Sequence, residues 1–464
     1  MNMANIKENN NKQNRAASWL VLACVALLFI ATCLVSSIHP ALMIVLMAVM
    51  IFLLLATKIE YGIYLMIFFL PVINWNFSWH TLTAPFIDLL GLTVFIAFIL
   101  QTIYRRLFDR ANFSLRLPLF IPFILFFASV TVSNFLSQYI GGNIWYSIRW
   151  ILFFYLIYVT LPVNIIKTEK ILKNSLIAFM LSGLTVAVMG VISLFQQDWQ
   201  YSLVRTLPIQ LFGIYPIGDN HNLVGEVLIV SLFFTQALKY WSKSIKINRL
   251  LNILMIFQAL VLLGTFSRAV WIALAVGVIL FLIFAEQKSR GQLLVIITFC
   301  LLLLSPLSLY MYKVQSDFAI GGSSTASRLL MTEIAWHDFT LKPFFGWGSG
   351  QFENLLGADV RFVAKYGEPL DSHGVWQKVL AENGLFGAIT FTGIFGSLII
   401  IFYRVLKKYP GEIKLLLPIF LGGFCMFVVQ FFNTSYYKGK LWLPVALGLC
   451  AINIIRKKYR KSQT

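Results

Sequence analysis

Charge is what this chain has least of. Only 12% of its residues are charged, against 59% hydrophobic, and mean hydropathy is +0.81. That balance leaves almost no room for a soluble catalytic domain, and the one long polar stretch is residues 313–383. Cysteine is scarce as well. Cys24, Cys33, Cys300, Cys425 and Cys450 all sit in apolar runs without a CxxC pair, which argues against a disulfide framework or a zinc site. Also missing is the two-residue alternation of a membrane β-barrel. Lipid cannot satisfy an open strand edge, so the apolar runs are expected to be helices.

Those runs approach the roughly 20 residues that a helix needs to cross hydrocarbon. They cover residues 17–37, 41–57, 61–77, 85–104, 118–136, 144–166, 174–195, 221–238, 250–266, 269–285, 292–312, 385–403, 415–432 and 441–455. The expected fold class is all-α: a polytopic integral membrane protein of about fourteen transmembrane helices with one long, outward-facing, partly helical loop. Residues 1–312 hold the first eleven helices, 313–383 an extracytoplasmic catalytic loop, and 384–464 the last three helices with a basic cytoplasmic tail. The first run follows Lys7, Lys12 and Arg15, as a signal peptide would. Its apolar length of about 21 residues and the want of a small-x-small cleavage site point to a retained helix.

A net charge of +19 invites a nucleic-acid partner, and its distribution argues against one. With the N-terminus inside, the cytoplasmic segments hold 26 of the 37 Lys and Arg, while short outer turns at 78–84 and 137–143 hold none. This is the positive-inside pattern: both termini cytoplasmic, residues 313–383 outside, and no nucleic acid among the partners. Arg456, Lys457, Lys458, Arg460 and Lys461 then read as a topology and anionic-lipid anchor.

Ionisable groups inside spans are costly, so each is a functional candidate. Asp88, Arg149, Glu226 and Arg268 fall within about two turns of the outer helix ends, which at about 1.5 Å per residue is one shallow layer. A polar cavity opening outward explains the layer better than coincidence, although Asp88 or Arg149 alone is equally well a snorkelling group or a structural ion pair. His221, Asn222 and Glu226 share a helix face. There His221 is a candidate ligand or base, against the plainer reading of a polar helix start capped by Asn220.

Within the long loop, residues 321–325 read as a flexible lead-in and 327–340 as a helix with Leu330, Ile334 and His337 or Leu341 on one stripe. The glycine- and aromatic-rich turn at 344–350 suits docking at the interface or stacking on a sugar ring. It is a weak match to a phosphate cradle, because no Lys-Ser/Thr follows. Asp371 or Ser372 is expected to cap a second helix running through Gln377 and Glu382 to a left-handed stop at Asn383 and Gly384. Arg328 and His373, near the starts of the two loop helices, can both project into the cavity.

Three segments in order then match a family pattern: Thr265, Phe266, Ser267, Arg268; Ser327 and Arg328, leading through Lys342, Pro343, Phe344, Phe345, Gly346, Trp347 and Gly348 to Phe352; and His373 followed by Leu380, Ala381, Glu382, Asn383, Gly384, Leu385, Phe386 and Gly387. Together they resemble the O-antigen ligase and polysaccharide polymerase family of bacterial membrane proteins, over about residues 262–391. The resemblance implies a glycosyltransferase of the bacterial cytoplasmic membrane. It would use glycans carried on undecaprenyl diphosphate, transfer them to an acceptor glycan with inversion, and need no metal or cofactor. The family's two arginines and one histidine fall on Arg268, Arg328 and His373, the candidate catalytic residues. Gly374 stands where the family commonly has Asn, which leaves any side-chain assistance there to Ser372 or Gln377.

The chemistry also holds without the family. Arginine offers a planar fork for a diphosphate leaving group, and His373 is either general base to the acceptor hydroxyl or a group that orients it. No paired His/Asp ligand spacing on the outer side favours metal hydrolysis. Arg149, Arg205, Glu226, His221 and Gln377 are the candidates for substrate binding. Expected partners are the lipid-linked glycan, the acceptor glycan, membrane lipid and other polysaccharide-assembly proteins. The function that fits best is polymerisation of lipid-linked repeat units into a surface polysaccharide. Alternatives are a ligase moving finished glycan to lipid A core or protein, a lipid-linked oligosaccharide flippase, and an assembly scaffold. Against the flippase, neither repeated halves nor broken midplane helices are evident.

Overall fold

The computed structural model describes residues 23–28, 30–31, 40–56, 58–79, 82–110, 114–197, 204–211, 213–287, 290–291, 294–295, 298, 321–369, 371, 373–434 and 437–461. Apolar sequence becomes helix nearly throughout. The chain runs α1 (Pro40–Ala56), α2 (Glu60–Phe69), a hairpin of β1 (Asn76–Trp79) and β2 (Leu82–Pro85), α3 (Phe86–Leu107), α4 (Phe120–Phe135) and α5 (Ile140–Arg149). A π-helix (Trp150–Thr160) leads into α6 (Leu161–Ile165), followed by α7 (Glu169–Phe195), α8 (His221–Leu238), α9 (Ile245–Leu263) and α10 (Arg268–Phe284). Then come α11 (Gly321–Leu341), α12 (Phe352–Ala358), α13 (Val360–Tyr366), α14 (Val375–Lys408), α15 (Ile413–Val429) and α16 (Gly439–Lys461).

Eight helices among the described residues are long and apolar enough to cross a membrane, and four shorter apolar helices stand beside them. The expected runs at 17–37 and 292–312 lie largely outside the described residues. The run at 61–77 is corrected: its helix ends at Phe69, and Asn76 pairs with Pro85 in an antiparallel hairpin. Pro71 and Asn74 break the apolar run there, and hairpin pairing satisfies the backbone instead.

Helix starts follow local capping. Thr168 accepts from the Ile171 amide at 3.3 Å, Asn220 from Asn222 at 2.9 Å and Ser267 from Val270 at 3.3 Å. The axis of the bundle is α8, buried from Asn222 to Leu238 and packed on α7, α9, α10 and α15. Trp442 of α16, fully buried, meets Phe123 at 5.3 Å, Trp150 at 6.0 Å and Phe395 at 5.7 Å, so one aromatic layer joins α4, the π-helix, α14 and α16.

The two ends of the bundle differ in charge. At one end Glu412 accepts from Lys458 at 2.8 Å and Tyr240 at 2.7 Å, Glu169 accepts from Trp241 at 3.3 Å, and Lys167 feels Arg105, Arg116 and Lys457. Among the described residues, this end therefore gathers Lys and Arg from several helix ends. The other end receives the start of α8, α10, α14 and α16 and the polar loop.

That loop and its junction with the next helix depart from expectation in four places. Residues 321–325 are not a lead-in but the first turns of α11. The buried stripe of α11 is Met331, Ile334, Ala335 and Asp338, while His337 and Leu341 are exposed. Asp371 does not cap the next helix: Gly374 precedes its first residue without a side-chain cap and Asp371 is drawn to Lys378, while Ser372 lies outside the described residues. The expected stop at Gly384 is a kink (φ 64°, ψ −162°) that the helix continues past.

Candidate functional site

Two glycine turns lock the loop to the bundle. The Trp347 amide donates to Ala381 O at 3.0 Å, Gly348 to Glu382 O at 2.8 Å, and Leu385 to Pro343 O at 2.8 Å. These bonds use carbonyls and amides that the Gly384 kink releases from the helical ladder. A Cβ on Gly346 would come within 2.4 Å of the Glu382 carbonyl carbon, and one on Gly384 within 2.5 Å of Phe344. Only glycine permits so close an approach at positive φ. The turn is also fastened to the earlier helices. Ser349 N donates to Asn134 Oδ1 at 2.7 Å, Gln351 Nε2 to Asn143 Oδ1 at 2.8 Å, and Ser133 Oγ to Glu382 O at 2.7 Å. Glu382 itself accepts from the Phe352 amide at 3.1 Å. Much of the motif at 342–387 is thus a clamp that holds α11 and the start of α14 in place.

Five of the candidate residues meet beside this clamp. Gln197 grips the Arg205 backbone from both sides, at 2.7 and 3.1 Å, and Thr206 N reaches Gly264 O at 2.8 Å. His221 opens α8 and Arg268 opens α10, tied together by Ser267 Oγ donating to Asn222 Oδ1 at 2.5 Å. Arg328 projects from α11, and His373 lies just ahead of α14. Arg328 is the hub. Its charge acts on both His221 and His373, Arg268 acts on it, and Arg205 acts on His221.

Burial first, then the Arg268 charge, pulls the Arg328 pKa below the ordinary arginine value, and burial does the same to Arg205. His373 is drawn below the usual imidazole value by burial and then by Arg328, with Asp371 opposing. Arg328 Nε is buried without a hydrogen-bond partner among the described residues. Nor does any described carboxylate pair with Arg205, Arg268 or Arg328. One turn from Arg328, Thr332 Oγ1 accepts from Gln377 Nε2 at 2.5 Å, which aims Gln377 at α11.

Glu226 and Arg149 belong to a second wall. Asp88 takes Arg149 at 3.2 Å and the Tyr158 hydroxyl at 2.5 Å. The i→i+5 bonding of the π-helix makes this fit, because nine residues then cover close to two turns, against two and a half in an α-helix. Glu226 binds Lys440 at 2.8 Å in a fully buried pair, with Asn433 on its other oxygen. Asp371 takes Lys378 and the Tyr437 hydroxyl, each at 2.5 Å. Lys438 stands among these pairs, its ammonium 5.6 Å from the Tyr437 ring centre. Burial above all, then Lys440, pushes its pKa down to about 8, with Glu226 and Asp371 opposing.

Sequence reasoning passed over Lys378, Tyr437, Lys438 and Lys440. For Lys378 the signal was there, four residues before Glu382 on one helix face. For Lys440 there was none, since Glu226 lies 214 positions away.

Arginines and histidines at helix starts oppose the helix dipole, whose N-terminal end favours anions. Four helices begin at this end with His221, Arg268, His373, Lys438 or Lys440 in or beside their first turns. Chemically, the arrangement suits an anion, with two imidazoles beside the guanidiniums. Residues 253–392 match the family described as O-Antigen ligase. No curated protein matches the chain. The matched segment includes Arg268, Arg328, His373 and both interlocked turns, while Arg205, His221, Lys438 and Lys440 lie outside it. Residues 253–392 are therefore similar to the O-antigen ligase family, and they lie among helices long and apolar enough to cross a membrane.

Proposed function

We propose that the chain is a membrane glycosyltransferase that polymerises undecaprenyl-diphosphate-linked repeat units at the outer face of the bacterial cytoplasmic membrane. One observation carries the reading: three arginines without carboxylate partners among the described residues converge with His373 at the starts of several helices. Such a site holds a multiply charged anion, and a diphosphate on a lipid meets it at headgroup depth. Arg268 and Arg328 take the diphosphate oxygens, with Arg205 beside them. The bond from anomeric carbon to phosphate oxygen breaks as an acceptor hydroxyl attacks from the opposite face, inverting the centre. The hydroxyl proton passes to His373, which its surroundings keep neutral, and the lipid diphosphate leaves. No metal is required for this charge balance, because the guanidiniums meet the developing negative charge. Concentration of Lys and Arg at the other end of the bundle supports the outward placement.

The test is elongation by purified protein in detergent, given lipid-linked repeat units and a chelator. A ladder of lipid-linked polymer is expected. Arg268→Ala and Arg328→Ala should each lower the rate by roughly 10²–10³, about 3–4 kcal/mol, with lysine a poor replacement. Transfer only to added lipid A core or protein would make the chain a ligase. Lipid movement across vesicles with no new glycosidic bond would sink the transferase reading.

A further inference from the structure

A second polar site lies at the opposite end of the bundle. With 18 residues in α8, His221 and the C-terminus of that helix are about 27 Å apart at roughly 1.5 Å per residue. There a cavity of about 310 Å³ opens between α8, α9, α10 and α15, with Gln236, Lys239, Ser242, Asn248, Glu286 and Lys414 on its walls. Lys239 Nζ and Asn248 Oδ1 are buried and meet no hydrogen-bond partner among the described residues. The nearby carboxylates already have partners. Glu286 pairs with Lys414 at 2.8 Å, Glu412 with Lys458 at 2.8 Å, and Glu169 accepts from Trp241 at 3.3 Å. The cavity is left with one positive charge in excess and one buried acceptor.

A buried ammonium is costly unless an anion neutralises it. The volume equals about ten water molecules, room for a phosphate with a small polar head. Beside the cavity α9 presents Ile245, Leu250 and Ile253, each more than half exposed, a surface for acyl chains. Lys243, Lys246 and Arg249 are exposed around it. Basic pockets between membrane helices take anionic headgroups in this way. We infer that this cavity binds an anionic glycerophospholipid with a hydroxylated head, of the phosphatidylglycerol kind, from the leaflet at that end. Lys239 is the counter-ion of the phosphate, and Asn248 Oδ1 accepts from a headgroup hydroxyl. The site is independent of the glycosyl-transfer reading.

The experiment uses the full chain in detergent, with native mass spectrometry and thermal unfolding, against phosphatidylglycerol, phosphatidylethanolamine and soluble glycerol phosphate. Phosphatidylglycerol is expected to be retained and to raise Tm, and the other two to do neither at equal concentration. Lys239→Met should weaken phosphatidylglycerol retention at least tenfold while raising Tm in the absence of lipid, since a buried charge is gone. Asn248→Leu should weaken retention severalfold, with lipid-free Tm little changed. Unchanged retention in both variants overturns the site. An equal Tm rise with glycerol phosphate overturns the lipid as its source.

Discussion

His373 is tuned by its neighbours rather than by its own helix. Burial and the Arg328 charge hold its pKa below the ordinary imidazole value of 6.5. A depressed value means that the unfolded chain binds the proton more readily. The stability linked to His373 is therefore in place above pH 6.5 and lost as pH falls through the folded value. Activity carries a further sign. A bound diphosphate cancels part of the Arg328 charge, so the imidazole pKa should rise on substrate binding. The acid limb of kcat/KM, which reports the free enzyme, is expected at lower pH than the limb of kcat. Profiles of elongation rate from pH 5 to 8 at limiting and saturating substrate measure both. Coincident limbs, or an Arg328→Ala variant whose residual activity keeps an unchanged kcat/KM limb, would remove Arg328 from the control of His373.

At the scale of elements, the interlocked turns at Gly346 and Gly384 decide whether the site is held. Gly384 occupies a backbone region essentially reserved for glycine, where another residue costs about 1–3 kcal/mol. The close approach of Phe344 adds overpacking of about 1–3 kcal/mol. Gly384→Ala should lower Tm clearly and abolish elongation. Gly393→Ala, nine residues on and with nothing near its added Cβ, should leave Tm unchanged or slightly raised. Equal unfolding curves for the two variants would dismiss the clamp. Gly384 shows what was legible beforehand. Glycine after asparagine at the end of a helical run announces positive φ, and the sequence shows it. Whether the helix ends or bends depends on Pro343 and Phe344, forty residues upstream, whose carbonyls receive Leu385 and Phe386. Apolar runs were readable for the same local reason, since hydropathy is a property of the run itself. The pairs Asp88 with Arg149 and Asp371 with Tyr437 depend on which helices pack together, and no local pattern encodes that.

Taken whole, the molecule has a basic end and an end that carries the polar loop, and a membrane should distinguish them. Exposed Val360 and Lys407 lie on the polar loop and at the basic end of α14, respectively. In a cysteine-free background, Val360→Cys should react with a membrane-impermeant thiol reagent in intact cells, and Lys407→Cys only after permeabilisation. The reverse pattern would turn the polar loop toward the cytoplasm. The fastening of the loop to Asn134 and Asn143 bears on inheritance as well as architecture. Residues 253–392 look like a portable cassette, yet Ser349, Gln351 and Glu382 rest on partners from 133–143. Recombination that exchanged the cassette alone would strand those buried polar groups in a foreign host. New sugar specificities in such proteins should therefore arise by swapping two distant stretches together, or by small changes around a retained pair.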